Sequence, residues 1–231
     1  MNILAIETST KYLSVAIAKD ASILASFQDR GQIQHFALLI PTIETLLKKT
    51  GLKFKDIDVI AISIGPGSFT GLRIGVATCK GLNMALGIPI VAVPTLDAIA
   101  NNFIDAREPV LCPLIDAKKK KVYACLYKKI YTGAQSQKKA DLKRLTRYML
   151  LDIDALIDKI DKPTLVFGDA IKLYSDRLKK SALIHISNDD WYPSAEVIAM
   201  QGLMMAKRRG FANPDKLAPM YLHSQYCQVS R

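Results

Sequence analysis

The chain opens with three short apolar runs joined by tight polar links. Asn2–Ile6 is compact and apolar, Tyr12–Ala18 is rich in strand formers, and Ser22–Phe27 alternates in part between apolar and polar. Lys19-Asp20 fits a hairpin turn, so the three runs are expected to form an antiparallel meander. The period then changes. From His35 to Lys49, the residues Phe36, Leu39, Ile40, Ile43, Leu46 and Leu47 recur at helical spacing, and Gly51 supplies a stop signal. Pro41 lies inside that run, where a proline beyond the first turn costs about 3 kcal/mol, so this helix is expected to begin late or to kink. Asp58–Ile64 reads as a buried strand and Gly65-Pro66-Gly67-Ser68 breaks it. A second helix follows from about Thr70 to Leu86 with Gly87 at its end, then a strand over Pro89–Val93 and a third helix capped by Thr95 and reaching Ile104.

The resulting order, β-β-β-α-β-α-β-α, gives an α/β fold with a mixed sheet and helices on its faces. That is the core of the actin-like, ribonuclease-H-like architecture. A second unit begins near Arg107-Glu108-Pro109, so two lobes are expected, over residues 1–108 and 109–231. In the second, Val110–Ile115 and Val122–Tyr127 are strand candidates, residues 132–141 read as a polar loop, and Asp152–Lys159 looks helical. Thr164–Phe167 is a short strand ended by Gly168, and Leu183–Ile186 is strand-like. A last helix from about Ala195 to Arg209 has Ser194 as N-cap and Gly210 at its end.

Half of the 231 residues are hydrophobic, enough for one large core or two small ones. No run of 18 apolar residues occurs, so no membrane-spanning helix is expected. The first residues lack a basic leader and meet Glu7 early, which argues against a signal peptide. Cys79, Cys112, Cys125 and Cys227 are far apart in apolar stretches and are expected as buried free thiols, consistent with a cytoplasmic location. The net charge of +11 is uneven: residues 1–108 carry 10 Lys and Arg against 9 Asp and Glu, and residues 109–231 carry 22 against 12. A basic half-chain favours an acidic partner, nucleic acid being the obvious candidate, and a solvated surface with no dedicated partner is the alternative.

Two short constellations could receive phosphate. In the link after the first strand, Glu7-Thr8-Ser9-Thr10 offers an acid and hydroxyls, as nucleotide-binding turns do, but no glycine, and taken alone a plain polar turn is the favoured reading. After the later strand, Gly65, Gly67, Ser68 and Thr70 fall in Gly65-Pro66-Gly67-Ser68-Phe69-Thr70-Gly71-Leu72-Arg73, which fits neither a Walker nor a dinucleotide fingerprint. Gly71 and Gly75 lie four apart on one helical face, continued by Thr78 and Leu82, and small residues there favour close helix packing. His35, His185 and His223 have no metal-ligand spacing, and no G-x-S-x-G elbow or acid–base pair is evident, so no catalytic residue and no metal is assigned. An actin-like ATPase or phosphotransferase resting on the Glu7 turn is the alternative reading.

Three motifs in order resemble one family. They are Ile3-Leu4-Ala5-Ile6-Glu7-Thr8-Ser9-Thr10, the Gly65-to-Gly75 block ending Leu72-Arg73-Ile74-Gly75, and Pro113-Leu114-Ile115-Asp116-Ala117-Lys118 with Val122-Tyr123. Together with Leu38-Leu39-Ile40-Pro41 and Pro219-Met220-Tyr221-Leu222, they are similar to the TsaB family, also called YeaZ, of bacterial threonylcarbamoyladenosine synthesis. The resemblance implies a two-lobed actin-like (ASKHA) fold. It implies an accessory subunit that forms a heterodimer with the catalytic paralogue TsaD, acts beside TsaE and TsaC on tRNA, and forms a homodimer when alone. No intrinsic cofactor is implied; ATP, if bound, belongs to the complex.

The family interface uses the first two long helices of the first lobe. Here that points to Leu38, Thr42 and Thr45 on one helix and to Gly71, Ile74, Gly75, Thr78 and Leu82 on the other. TsaD carries a His-x-x-x-His metal pair, whereas the matching stretch Pro94-Thr95-Leu96-Asp97-Ala98 has no histidine. Lys118 and His223 stand where family members often carry arginine, and lysine lacks arginine's planar fork. Candidate tRNA contacts are Lys118, Lys119, Lys120 and Lys121, and the segment with Lys138, Lys139, Lys143, Arg144 and Arg147.

Overall fold

A computed structural model describes residues 1–29, 35–132, 139–188 and 191–223. They fall into two compact units, residues 1–98 with 193–220 and residues 99–192 with 221–231.

The first unit is built on Asn2–Glu7 (β1), Leu13–Lys19 (β2) and Ser22–Asp29 (β3), which form the expected meander. His35–Thr50 (α1), Val59–Ser63 (β4), Phe69–Leu86 (α2), Ile90–Val93 (β5) and Thr95–Asn101 (α3) follow. The sheet order is β3-β2-β1-β4-β5, with β4 parallel to both β1 and β5. Strand alternation divides the core. Leu4, Ile6, Val15, Ile17, Ile60 and Ile62 face α1 and α2, which bring Leu39, Ile43, Leu46, Val76 and Cys79. Ile3, Ala5, Ala16, Ala18, Val59 and Ala61 face the other way, onto Ala195–Lys207 of the last helix.

That last helix corrects the expected division at 108/109. Its buried residues Ile198, Ala199 and Leu203 complete the first sheet's second face, so residues 193–220 belong with the first unit although they follow the second in sequence. A Cβ on Gly202 would lie 2.5 Å from the Ala61 Cβ, so the close approach of helix and sheet depends on that glycine.

Pro41 does not delay α1, which begins at His35 with the proline in its interior. Pro41 and Ala37, whose carbonyl loses its donor, both lie on the exposed side, where water can replace the bond. Gly87 ends α2 in the left-handed conformation at φ 69°, its amide donating to Asn83 O at 2.8 Å. Thr95 is not the N-cap expected of it. Its hydroxyl accepts from the Gly65 amide at 3.1 Å and its own amide donates to Gly65 O at 2.9 Å, so it fastens the glycine link instead.

The second unit contains Val110–Asp116 (β6), Lys121–Ala124 (β7), Tyr127–Thr132 (β8), Lys139–Arg144 (β9), Met149–Asp152 (β10), Ile153–Ile157 (α4), Thr164–Phe167 (β11), Ile171–Leu178 (α5) and Ile184–Ser187 (β12). The run expected as one strand over 122–127 is two, because β7 and β8 pair successive stretches of β6 and break at Cys125-Leu126. The order β10-β7-β6-β11-β12 is parallel through β6, β11 and β12, and β9 extends β8 antiparallel. Ala195–Lys207, numbered α6, has Ser194 as N-cap, its hydroxyl accepting from Val197 N at 3.3 Å. Cys79, Cys112 and Cys125 are buried free thiols, and burial pushes the Cys79 and Cys112 thiols up; Cys227 lies outside the described residues. Among those residues no helix is long and apolar enough to cross a membrane.

Candidate functional site

The link after β1 and the link after β4 meet at the carboxyl ends of those two strands. Glu7, Thr8 and Ser9 are buried, with Glu7 at 0% exposure. The Ser9 amide and hydroxyl both donate to Glu7 Oε1 at 2.5 Å. The Ser68 amide donates to Ser9 O at 2.6 Å, and the Gly71 amide to Ser68 Oγ at 3.2 Å. Thr10 Oγ1 accepts from Tyr12 N at 3.2 Å. A Cβ on Gly67 would lie 2.1 Å from Ser9 O, so the glycine lets the two links close on each other. The Ser9, Ser68 and Gly71 amides are thus committed within the unit. Ser68 and Thr70 are exposed at the start of the adjoining helix, Gly67 is half-buried, and Gly65 is held by Thr95.

Glu7 has no charged partner in this knot. Burial pushes its carboxyl up to about 7, against smaller pulls from the Ser9 and Ser63 hydroxyls and the Ser9 amide. Glu7 Oε2, Thr8 Oγ1 and Ser63 Oγ are buried with no hydrogen-bond partner among the described residues. The Ser63 hydroxyl lies near enough to favour the ionised acid without regular hydrogen-bond geometry. Chemically the arrangement is a tight polar knot in which the two links bond to each other and three buried oxygens keep unused hydrogen-bonding capacity. No group of three or more His, Cys, Asp or Glu suited to a metal occurs among the described residues.

The small-residue face of α2 points inward. Gly71 and Gly75 are buried, and a Cβ on Gly75 would lie 2.4 Å from Thr8 Oγ1 and 2.9 Å from Ile62 Cδ1. Two residues read as a docking surface therefore seat the helix on its own sheet. Leu38, Ile74 and Leu82 pack partly against the same core, Thr42 and Thr78 are half-buried, and Thr45 is exposed, its hydroxyl donating to Pro41 O at 2.8 Å. The outward face of α2 carries Phe69, Arg73, Ala77, Gly81, Met84 and Ala85, with Met84 at 84% exposure. The Arg73 guanidinium lies 3.8 Å over the Phe69 ring. Ile40 and Pro41 of the adjacent α1 are exposed as well. The sequence hid this stripe because α2 is apolar nearly all round, so no polar side marks which face is free. The exposed Phe69 and Met84 are the features that single it out.

The cations of the second unit do not form one patch. Lys118, Lys119 and Lys120 make the tight turn between β6 and β7, with Lys118 Nζ 2.6 Å from Asp116 Oδ2. Lys121 Nζ lies 4.0 Å from Asp152 Oδ2. Lys143 and Arg144 are neighbours in β9 and so point to opposite faces. Arg144 and Arg147 line one open cleft. Lys138 and the side chains of Lys139 and His35 lie outside the described residues.

Comparison with known proteins follows the same lines. Residues 29–215 match the family model described as TsaD: tRNA N6-adenosine threonylcarbamoyltransferase. The tRNA threonylcarbamoyladenosine biosynthesis protein TsaB of Bacillus subtilis (strain 168) is 31% identical over 179 residues, 78% of this chain and 76% of that protein. The chain belongs to the TsaB family. TsaB of Escherichia coli (strain K12) is 33% identical over 134 residues, 58% of each chain. The solved structure of YeaZ from Pseudomonas aeruginosa superposes with a TM-score of 0.78 at 25% identity, covering 96% of this chain and 99% of that one. The TsaB-family likeness therefore spans both units, and with it the actin-like fold.

Proposed function

We propose that this chain is the non-catalytic partner of TsaD in tRNA threonylcarbamoyladenosine synthesis, docking through the exposed stripe of α2 and the adjoining surface of α1. The tight turn carries the reading: where an actin-like enzyme would hold phosphate and metal, Gly67 lies hard against the Ser9 carbonyl and Glu7 is fully buried, which supports a role other than catalysis. The exposed stripe supports the docking half, since large apolar side chains such as Phe69 and Met84 exposed on one helix face mark an interaction site. In this reading any ATP belongs to the complex, TsaE and TsaC act in the same pathway, tRNA is met through the complex, and the same stripe joins two copies when TsaD is absent.

The test uses Gly81→Glu. A Cβ there meets nothing within 4 Å, so the fold tolerates the change while a charge enters the interface. An unpaired charge buried on association costs about 3–5 kcal/mol, a loss of TsaD affinity on the order of a hundredfold or more. Reconstituted tRNA modification should fall with it. Unchanged co-elution with TsaD, or full modification in the absence of this chain, would overturn the proposal.

A further inference from the structure

The segment between β9 and β10 forms an open cleft of about 550 Å³ lined by Arg144, Leu145, Thr146, Arg147, Tyr148 and Leu222. Its floor is fixed. Leu145 N donates to Leu126 O at 2.8 Å, and Leu126 N donates to Thr146 Oγ1 at 3.1 Å, so the connection is sewn to the β7–β8 link from both sides. On this floor the Arg144 guanidinium lies 4.7 Å over the Tyr148 ring. Arg147 is exposed and makes no ion pair among the described residues. Leu145 is 49% exposed beside them.

Resting on the tRNA-modification reading above, we propose that this cleft binds an unpaired ribonucleotide, its phosphate between Arg144 and Arg147 and its base against Tyr148 and Leu145. Two guanidiniums on a rigid connection suit a phosphate, which accepts planar bidentate contacts. The phenol ring, the guanidinium plane and the exposed leucine give a base a stacking surface, the chemistry by which single-stranded RNA is held without sequence readout. An acidic peptide would satisfy the charge but make no use of the aromatic and leucine surface beside it. An anionic membrane would call for a larger exposed apolar patch than one leucine provides.

The experiment measures binding of a fluorescein-labelled twelve-nucleotide single-stranded RNA and of a tRNA transcript to the full chain, alone and with TsaD, across a salt series. Vesicles containing phosphatidylserine serve as the second probe. Arg144→Glu/Arg147→Glu should weaken RNA binding at least tenfold, and Arg147→Glu alone, at an exposed position, should retain the fold and give part of the loss. Removal of the one phosphate contact that the two guanidiniums share should flatten the slope of log affinity against log salt by about 0.7. Tyr148→Ala should weaken binding about tenfold with the salt slope unchanged, the signature of lost stacking. Unchanged RNA affinity in the double variant while TsaD still binds overturns this inference and leaves the partner role standing. Loss of TsaD binding by the wild-type chain instead removes the reading on which it rests. Vesicle binding that the double variant abolishes, with RNA binding intact, also overturns it.

Discussion

Gly75 and Gly81 sit in one helix and should respond in opposite ways to the same added methyl group. At Gly81 the new Cβ meets open space, so Gly81→Ala gains only helix propensity, about 1 kcal/mol of added stability. At Gly75 the Cβ would stand 2.4 Å from Thr8 Oγ1 and 2.9 Å from Ile62 Cδ1. The isoleucine methyl can rotate away, but the threonine lies in the buried link after β1 and cannot. Overpacking of this kind costs about 1–3 kcal/mol, offset by the same propensity gain of about 1 kcal/mol, which leaves Gly75→Ala up to about 2 kcal/mol below the parent and about 1–3 kcal/mol below Gly81→Ala. Thr8→Ala separates the cause, because it removes a buried hydroxyl that has no hydrogen-bond partner among the described residues and leaves the Thr8 Cβ, 3.6 Å from the new atom, in ordinary contact. The Thr8→Ala/Gly75→Ala double variant should recover most of that clash, about 1–3 kcal/mol relative to the sum of the single changes. Urea unfolding followed by circular dichroism measures this, with amide exchange in β1 and β4 assigning the transition to the first unit. Gly75→Ala as stable as Gly81→Ala, or a double variant showing no coupling, would refute the inward placement of this face.

Two further outcomes follow from the same knot. Glu7 holds its proton more tightly folded, at about 7, than its ordinary value of 4.5, so its contribution to stability is complete below pH 4.5 and is lost as pH rises through 7. The loss is about 3 kcal/mol, and Glu7→Gln should remove that slope and be the more stable protein at pH 8; equal slopes in unfolding free energy for both proteins would contradict it. Gly75→Ala should also weaken TsaD binding without touching the exposed stripe, and Thr8→Ala should restore it, as read by titration calorimetry; affinity indifferent to both would separate the turn from docking.

The meander and the α/β alternation were legible because the apolar pattern and the chain's stop signals agree there. Ile3 and Ala5 face one way, Leu4 and Ile6 the other, and Gly51, Gly87 and Gly210 mark helix ends. The second unit was harder to read. β9, Lys-Ala-Asp-Leu-Lys-Arg, shows no apolar alternation and gains its strand form from pairing with β8. The break between β7 and β8 falls inside a continuous apolar run, where nothing local signals it. Glu7, Ser9, Gly67 and Ser68 each stand out in the sequence, but their mutual approach is a contact between distant segments that no periodicity reveals. The last helix was recognised by its cap and apolar face, yet only packing shows that this face covers β1 and β4.

The inward and outward faces of α2 give the sealed turn a role of its own. At 100° per residue, Gly71, Leu72, Gly75, Val76 and Cys79 turn toward the sheet while Phe69, Arg73, Ala77, Gly81 and Met84 turn away. The inward set reaches Thr8 through Gly75, and the residues at the helix start are held by Ser68, itself bonded to Ser9. A phosphate entering between Ser9 and Gly67 would have to part those contacts and so displace the start of the helix that carries the stripe. Phosphate binding and a fixed docking helix are therefore competing uses of one junction. A subunit that serves by being held in a single shape gains from a junction with no room for a ligand, whereas an enzyme of the same fold must keep it open. Under the proposed partner role, the close contact at Gly67 favours the helix.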